Sequence, residues 1–72
     1  MKKTVIGENA GLVWRTLDSQ DKKMSFDELQ EATKLNDIDL AAAIGWLARE
    51  DKISIRENDG EFYISNYQET YF

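Results

Sequence analysis

The residue types that most often carry catalysis are sparse in this chain. It has no histidine and no cysteine, which removes imidazole ligands, disulfides and thiolate–zinc sites. Serines 19, 25, 54 and 65 have no histidine to activate them, and Ser25 has a structural use described below. Carboxylates are plentiful, but Asp27, Glu28 and Glu31 have the spacing of a solvated helix face. Asp37 and Asp39 are spaced like part of a calcium loop, yet the required glycine and distal glutamate are missing. Acids at those two positions instead suit the positive end of a helix. The expectation is a non-enzymatic protein with no catalytic or metal-binding residue, no cofactor and no evident small-molecule ligand.

Seventy-two residues make one small domain, 1–72, with room for a modest core. Eight aromatic residues are enough to build that core, so disorder is not expected. The opening MKKTVIGENAG lacks the apolar run of a signal peptide, and nothing approaches the roughly 20 apolar residues that span a bilayer. A cytoplasmic protein without a membrane partner is expected. Nine basic residues against fourteen acidic give a net charge of −5, which repels phosphate backbones at long range.

The most informative stretch is Asn36 to Asp51, NDIDLAAAIGWLARED. At about 100° per residue, Leu40, Ala43, Ile44 and Leu47 fall together as a buried stripe. The opposite side carries Ala41, Ala42, Gly45 and Arg49, with Trp46 at its edge. Lys, Glu or Gln would normally cover a solvent-facing helix surface. Here that surface is small, apolar and nearly uncharged.

The rest of the chain supplies the elements around this helix. Thr4 is the candidate cap of a first helix running to about Ser19, with Ile6, Ala10, Val13, Trp14 and Leu17 on one face. Gly7 and Gly11 weaken it by roughly 1 kcal/mol each relative to Ala; their spacing either leaves room for a close neighbour or marks a frayed, late-starting helix. Met24 is placed to begin a short edge strand. Ser25-Phe26-Asp27-Glu28 is a capping box, with Met24 and Leu29 as its hydrophobic staple. The short helix that follows turns Phe26, Leu29 and Ala32 inward and ends near Lys34. After the Leu35-Asn36 turn, Asn36 or Asp37 caps the central helix.

A hairpin follows, in which Ile53 and Ile55, then Phe62 and Ile64, alternate with polar residues. A three-residue loop would waste Phe62 and Ile64. A four-residue loop, Glu57 to Gly60, pairs Arg56 with Glu61, Ile55 with Phe62 and Ile53 with Ile64, and is preferred for its matched pairs. A two-residue loop keeps the same faces and is the fallback. Leu17, Leu29, Leu40, Ile44, Leu47, Ile53, Ile55, Phe62 and Ile64 are the expected core, and Trp14 is assigned to the core rather than to a contact. Residues 66–72 form an aromatic C-terminal tail whose Tyr71 and Phe72 either fold back or meet a partner.

Helix, short strand, helix, turn, helix and hairpin is the order of a winged helix-turn-helix, an α+β fold of three helices with a C-terminal β-hairpin wing. More narrowly, VIGENAGLVW, SFDEL, AAIGWLAREDKI and the terminal YF resemble a family of small uncharacterised bacterial winged-helix proteins. The resemblance covers nearly the whole chain. It implies the fold and often self-association, but no established biochemical activity.

Two functional readings follow. The first is a protein-interaction or self-association module, a homodimer in its simplest form. Its interface residues would be Ala42, Gly45, Trp46 and Arg49, with Tyr71 and Phe72 contributing. The alternative is a DNA-binding transcriptional regulator using the third helix and wing, with Asn36, Lys34, Arg49, Lys52 and Arg56 as contacts. Charge disfavours it. Asp37 and Asp39 occupy the first turn of the helix that would enter the groove, and the wing tip Glu57-Asn58-Asp59-Gly60-Glu61 holds three carboxylates.

Overall fold

The computed structural model describes residues 2–19 and 23–66. Its elements run α1 (Lys3–Ser19), β1 (Lys23–Ser25), α2 (Phe26–Thr33), α3 (Asp37–Arg49), β2 (Ser54–Asn58) and β3 (Glu61–Ser65). This is the expected α+β winged helix-turn-helix order, and the edge strand at Met24 is present. Helix α1 begins one residue before Thr4, so Thr4 lies inside the helix rather than at its cap.

Local chemistry sets the start of α2. The Glu28 amide donates to Ser25 Oγ (3.1 Å), and the Ser25 amide donates to Glu28 Oε1 (2.8 Å), so both halves of the capping box form. Lys34 closes the helix in the left-handed region (φ 62°), and its amide donates to the Gln30 carbonyl. Within α2 the inward residues are Phe26, Leu29 and Thr33, while Ala32 is exposed. Thr33 takes the inward position because its hydroxyl donates to the Leu29 carbonyl (2.7 Å), which satisfies its polar group inside the core.

Asn36 caps α3, with Oδ1 accepting from the Asp39 amide at 2.8 Å. The helix closes through paired bonds from the Asp51 amide to the Ala48 carbonyl and from the Lys52 amide to the Leu47 carbonyl. Asp51 sits in the left-handed conformation (φ 57°) that this C-terminal motif requires.

The three strands form one antiparallel sheet in the order β1-β3-β2. Asn58 pairs with Glu61, Glu57 with Phe62, Arg56 with Tyr63 and Ile55 with Ile64. The loop is therefore Asp59-Gly60 alone, and the four-residue loop is overturned. Positive φ at both loop residues (54° and 81°) makes it the two-residue turn whose twist matches a hairpin.

Ala10, Val13 and Leu17 of α1, Leu29 of α2, the Leu40, Ala43, Ile44 and Leu47 stripe of α3, Ile53 and Ile64 form the core. Trp14, Met24 and Phe26 pack against it while partly exposed. Ile55 and Phe62, expected inside, are 45% and 50% exposed. The wing carries them past the edge of the helices, where no other described element covers the sheet.

Candidate interaction surface

Helix α3 turns its stripe from Leu40 to Leu47 into the core, which fixes what faces outward. Ala41, Gly45 and Arg49 are exposed and Ala42 is half-buried, so Ala42, Gly45 and Arg49 share one outer face. A Cβ added at Gly45 would meet nothing within 4 Å. Among the described residues, neither the wing nor any other element covers this face. Ile38 belongs to it as well: four residues before Ala42, it is 70% exposed, more than the other large apolar side chains left at the surface. Projecting the first turn of α3 onto the same wheel would have found it. Ile38, Ala41, Ala42 and Gly45 thus make an apolar, shallow strip with Arg49 at its end.

Trp46 is 37% exposed and sits at the margin of that strip. There it lines a groove of about 250 Å³ between α1 and α3, together with Gly7, Gly11, Trp14, Arg15 and Lys52. Gly7, Gly11 and Trp14 are at i, i+4 and i+7 of one helix face, so the paired glycines of α1 form one wall of this groove. A Cβ at Gly7 would also meet open space, and one at Gly11 would touch only the flexible Arg15 guanidinium, at 3.2 Å. Trp14 therefore does two things: it packs against the core and lines the groove. Tyr71 and Phe72 lie outside the described residues.

The candidate DNA contacts do not converge. Asn36 spends its side-chain oxygen on the helix cap. Lys34 Nζ pairs with Glu31 at 3.1 Å, on the surface of the helix-turn. Lys52 lines the α1–α3 groove, and Arg56 lies on β2 opposite Tyr63, on the face of the wing turned away from the core. Only Arg49 remains on the outer face of α3. At the other end of that helix the Asp37 carboxylate accepts from the Gln30 side-chain amide, and Asp39 follows it.

The outer face of the wing has its own small network. Lys23 Nζ lies 5.4 Å from the centre of the Tyr63 ring, within range of a cation–π contact. The Tyr63 hydroxyl donates to Glu61 Oε2 at 2.9 Å. That hydrogen bond, with the negative charge of Glu61 beside it, raises the Tyr63 pKa above the ordinary phenol value.

Residues 1–66 match the family described as Winged helix-turn-helix domain (DUF2582). The chain belongs to that family. It is 37% identical over 60 residues to "Uncharacterized protein MJ1608" of Methanocaldococcus jannaschii, covering 82% of this chain and 86% of that protein. It is also similar to the solution NMR structure of protein BT2368 from Bacteroides thetaiotaomicron, with a TM-score of 0.80 and 41% identity, over 92% of this chain and 79% of that one. Family membership carries the winged-helix fold and no specific role.

Proposed function

We propose that this DUF2582 chain is a non-enzymatic, cytoplasmic protein-interaction module whose third helix packs against another polypeptide. The observation that carries this reading is Gly45. Glycine in mid-helix costs about 1 kcal/mol relative to alanine, and the packing of the described residues makes no use of it, since a Cβ there meets none of them within 4 Å. A neighbouring helix approaching closely across Ile38, Ala41, Ala42 and Gly45 would use it. Trp46, half-exposed beside the strip, supplies the large anchor typical of binding hot spots. A second copy of the chain is the simplest partner, related by a two-fold axis.

Electrostatics argue against a nucleic-acid groove as the occupant of this face. Phosphate contacts need converging cations. The outer face of α3 supplies Arg49, set against Asp37 and Asp39 at the helix start and the acidic wing tip.

Sedimentation over a range of protein concentrations tests the reading. Wild type should show mass above the monomer, and Ile38→Ser or Gly45→Lys should lower it while leaving the circular dichroism spectrum intact. A wild type that stays monomeric throughout discards the homodimer and leaves a heterologous partner to be found. Duplex DNA binding at about 50 mM salt that falls steeply by 200 mM would reverse the assignment of this face.

A further inference from the structure

A second surface, separate from α3, lies where the wing tip meets the start of α2. Ser25, Phe26, Asp27, Gly60, Glu61 and Phe62 line an open cleft of about 160 Å³ there. An engineered cavity of about 150 Å³ accepts a benzene ring, so the space suits one long side chain. Strand alternation places Phe62 on the same sheet face as Ile64, Ile55 and its cross-strand neighbour Glu57. Toward the tip that face runs off the core, leaving Phe62 half-exposed above the cleft, with Phe26 partly exposed in its wall.

The chemistry of the cleft selects its occupant. Two phenyl rings supply apolar walls, Asp27 lies on the rim, and Glu57 stands across from Phe62, while the Glu61 carboxylate turns to the other sheet face and accepts from the Tyr63 hydroxyl. No basic side chain among the described residues lines it. An anion would be repelled, and a purely apolar group would strip water from carboxylates and give nothing in return. A long cationic side chain satisfies both parts: its aliphatic stem covers the rings, its charge lies against their faces, and its head group reaches the Asp27 carboxylate on the rim, with Glu57 across from Phe62. The net charge of −5 draws basic segments toward the chain in the first place.

We infer that this cleft binds an arginine or lysine side chain presented by a basic segment of a partner polypeptide. Arginine fits better than lysine, because its planar head both stacks on phenyl rings and pairs bidentately with a carboxylate. The inference does not depend on what covers α3.

An amide-resolved NMR titration of the full chain with the peptide GRGRGRG, amidated at its C-terminus, tests it, with GEGEGEG as the control. The arginine peptide should shift the Asp27, Gly60 and Phe62 amides saturably, and the glutamate peptide should not. Phe62→Ser leaves the charge unchanged and removes a half-exposed ring, so the remaining spectrum should persist while peptide affinity drops about tenfold. Ile38→Ser, which probes the α3 strip, should leave peptide affinity unchanged. Absence of binding would overturn the inference. So would shifts scattered over all acidic residues, or an affinity indifferent to Phe62→Ser, either of which would show general attraction to a negative chain.

Discussion

Ile55 and Ile64 face each other across the hairpin, yet Ile64 is 1% exposed and Ile55 is 45% exposed. Their strands explain the difference. β3 is the central strand, with β1 on its far side and the helices over Ile64, whereas β2 is an edge strand lying beyond the helical layer. Two residues of one type in one cross-strand pair therefore do different work. Ile64→Ala should destabilise the fold by about 2–5 kcal/mol, the usual range for emptying a buried isoleucine site. Ile55→Ala should cost well under half as much. Urea unfolding of the two variants measures the contrast, and similar losses would mean that the wing is covered in solution.

The hairpin turn makes a separate prediction. Gly60 has φ 81° in the two-residue loop, a conformation that disfavours any Cβ. Gly60→Ala should lower stability by about 1–2 kcal/mol, although its Cβ would meet no neighbour. Asp59→Gly, at φ 54°, should be nearly neutral or mildly stabilising. A Gly60→Ala variant as stable as wild type would show that the loop readily adopts a different geometry.

What could be read from the sequence divides along the range of the interactions concerned. The Ser25–Glu28 capping box and the Asn36 cap involve residues three apart: the box forms as expected, and of the two candidate caps, Asn36 and Asp37, Asn36 is the one used. The Leu40–Leu47 stripe was equally legible, because helical periodicity reports one face directly. The hairpin register was not. The four-residue loop rests on the Arg56–Glu61 charge pair and the matched apolar pairs, but Asp59-Gly60 is itself a strong two-residue turn signal, and the fallback two-residue loop is the one that forms. Ile55 and Phe62 alternate as core residues should, yet alternation does not say how far a strand runs past the layer above it. At the candidate surface, Ala42, Gly45 and Arg49 were legible from the wheel. Trp46's second role beside Trp14 depends on how α1 crosses α3, which no local pattern encodes.

Asn36 allows the two readings of α3 to be separated without a binding partner. Its Oδ1 accepts the Asp39 amide, so Asn36→Ala should lower stability by about 1 kcal/mol, as loss of a helix cap does. Asn36→Asp and Asn36→Ser, which also cap, should restore most of it. If the three variants are equally stable, the cap contributes nothing and the side chain is free for another role.

Tyr63 supplies a pH-dependent prediction. Its hydrogen bond to Glu61 and the charge of that carboxylate hold the phenol protonated above its ordinary pKa of about 10. Because the folded state keeps the proton longer than the unfolded chain, the contribution is fully present below the unfolded pKa. It is lost as pH rises through the folded value. NMR titration of the Tyr63 ring should show a midpoint above that of an unfolded-chain tyrosine, and Glu61→Gln should move it back down. A midpoint unaffected by Glu61→Gln would remove Glu61 as the cause.

Gly45 allows stability and association to be set against each other. In the isolated chain, Gly45→Ala replaces the weaker helix former with the best one at a site where the new methyl touches nothing. It should therefore stabilise the monomer by about 0.5–1 kcal/mol. If a neighbouring helix packs against this position, the same methyl holds the two backbones apart, and Gly45→Leu should do so more severely. The expected result is opposite trends: thermal stability of dilute protein rises for Gly45→Ala, while self-association measured by sedimentation weakens from glycine to alanine to leucine. Parallel trends would place the glycine outside the interface, because a methyl pressed between two helices could not leave their association intact.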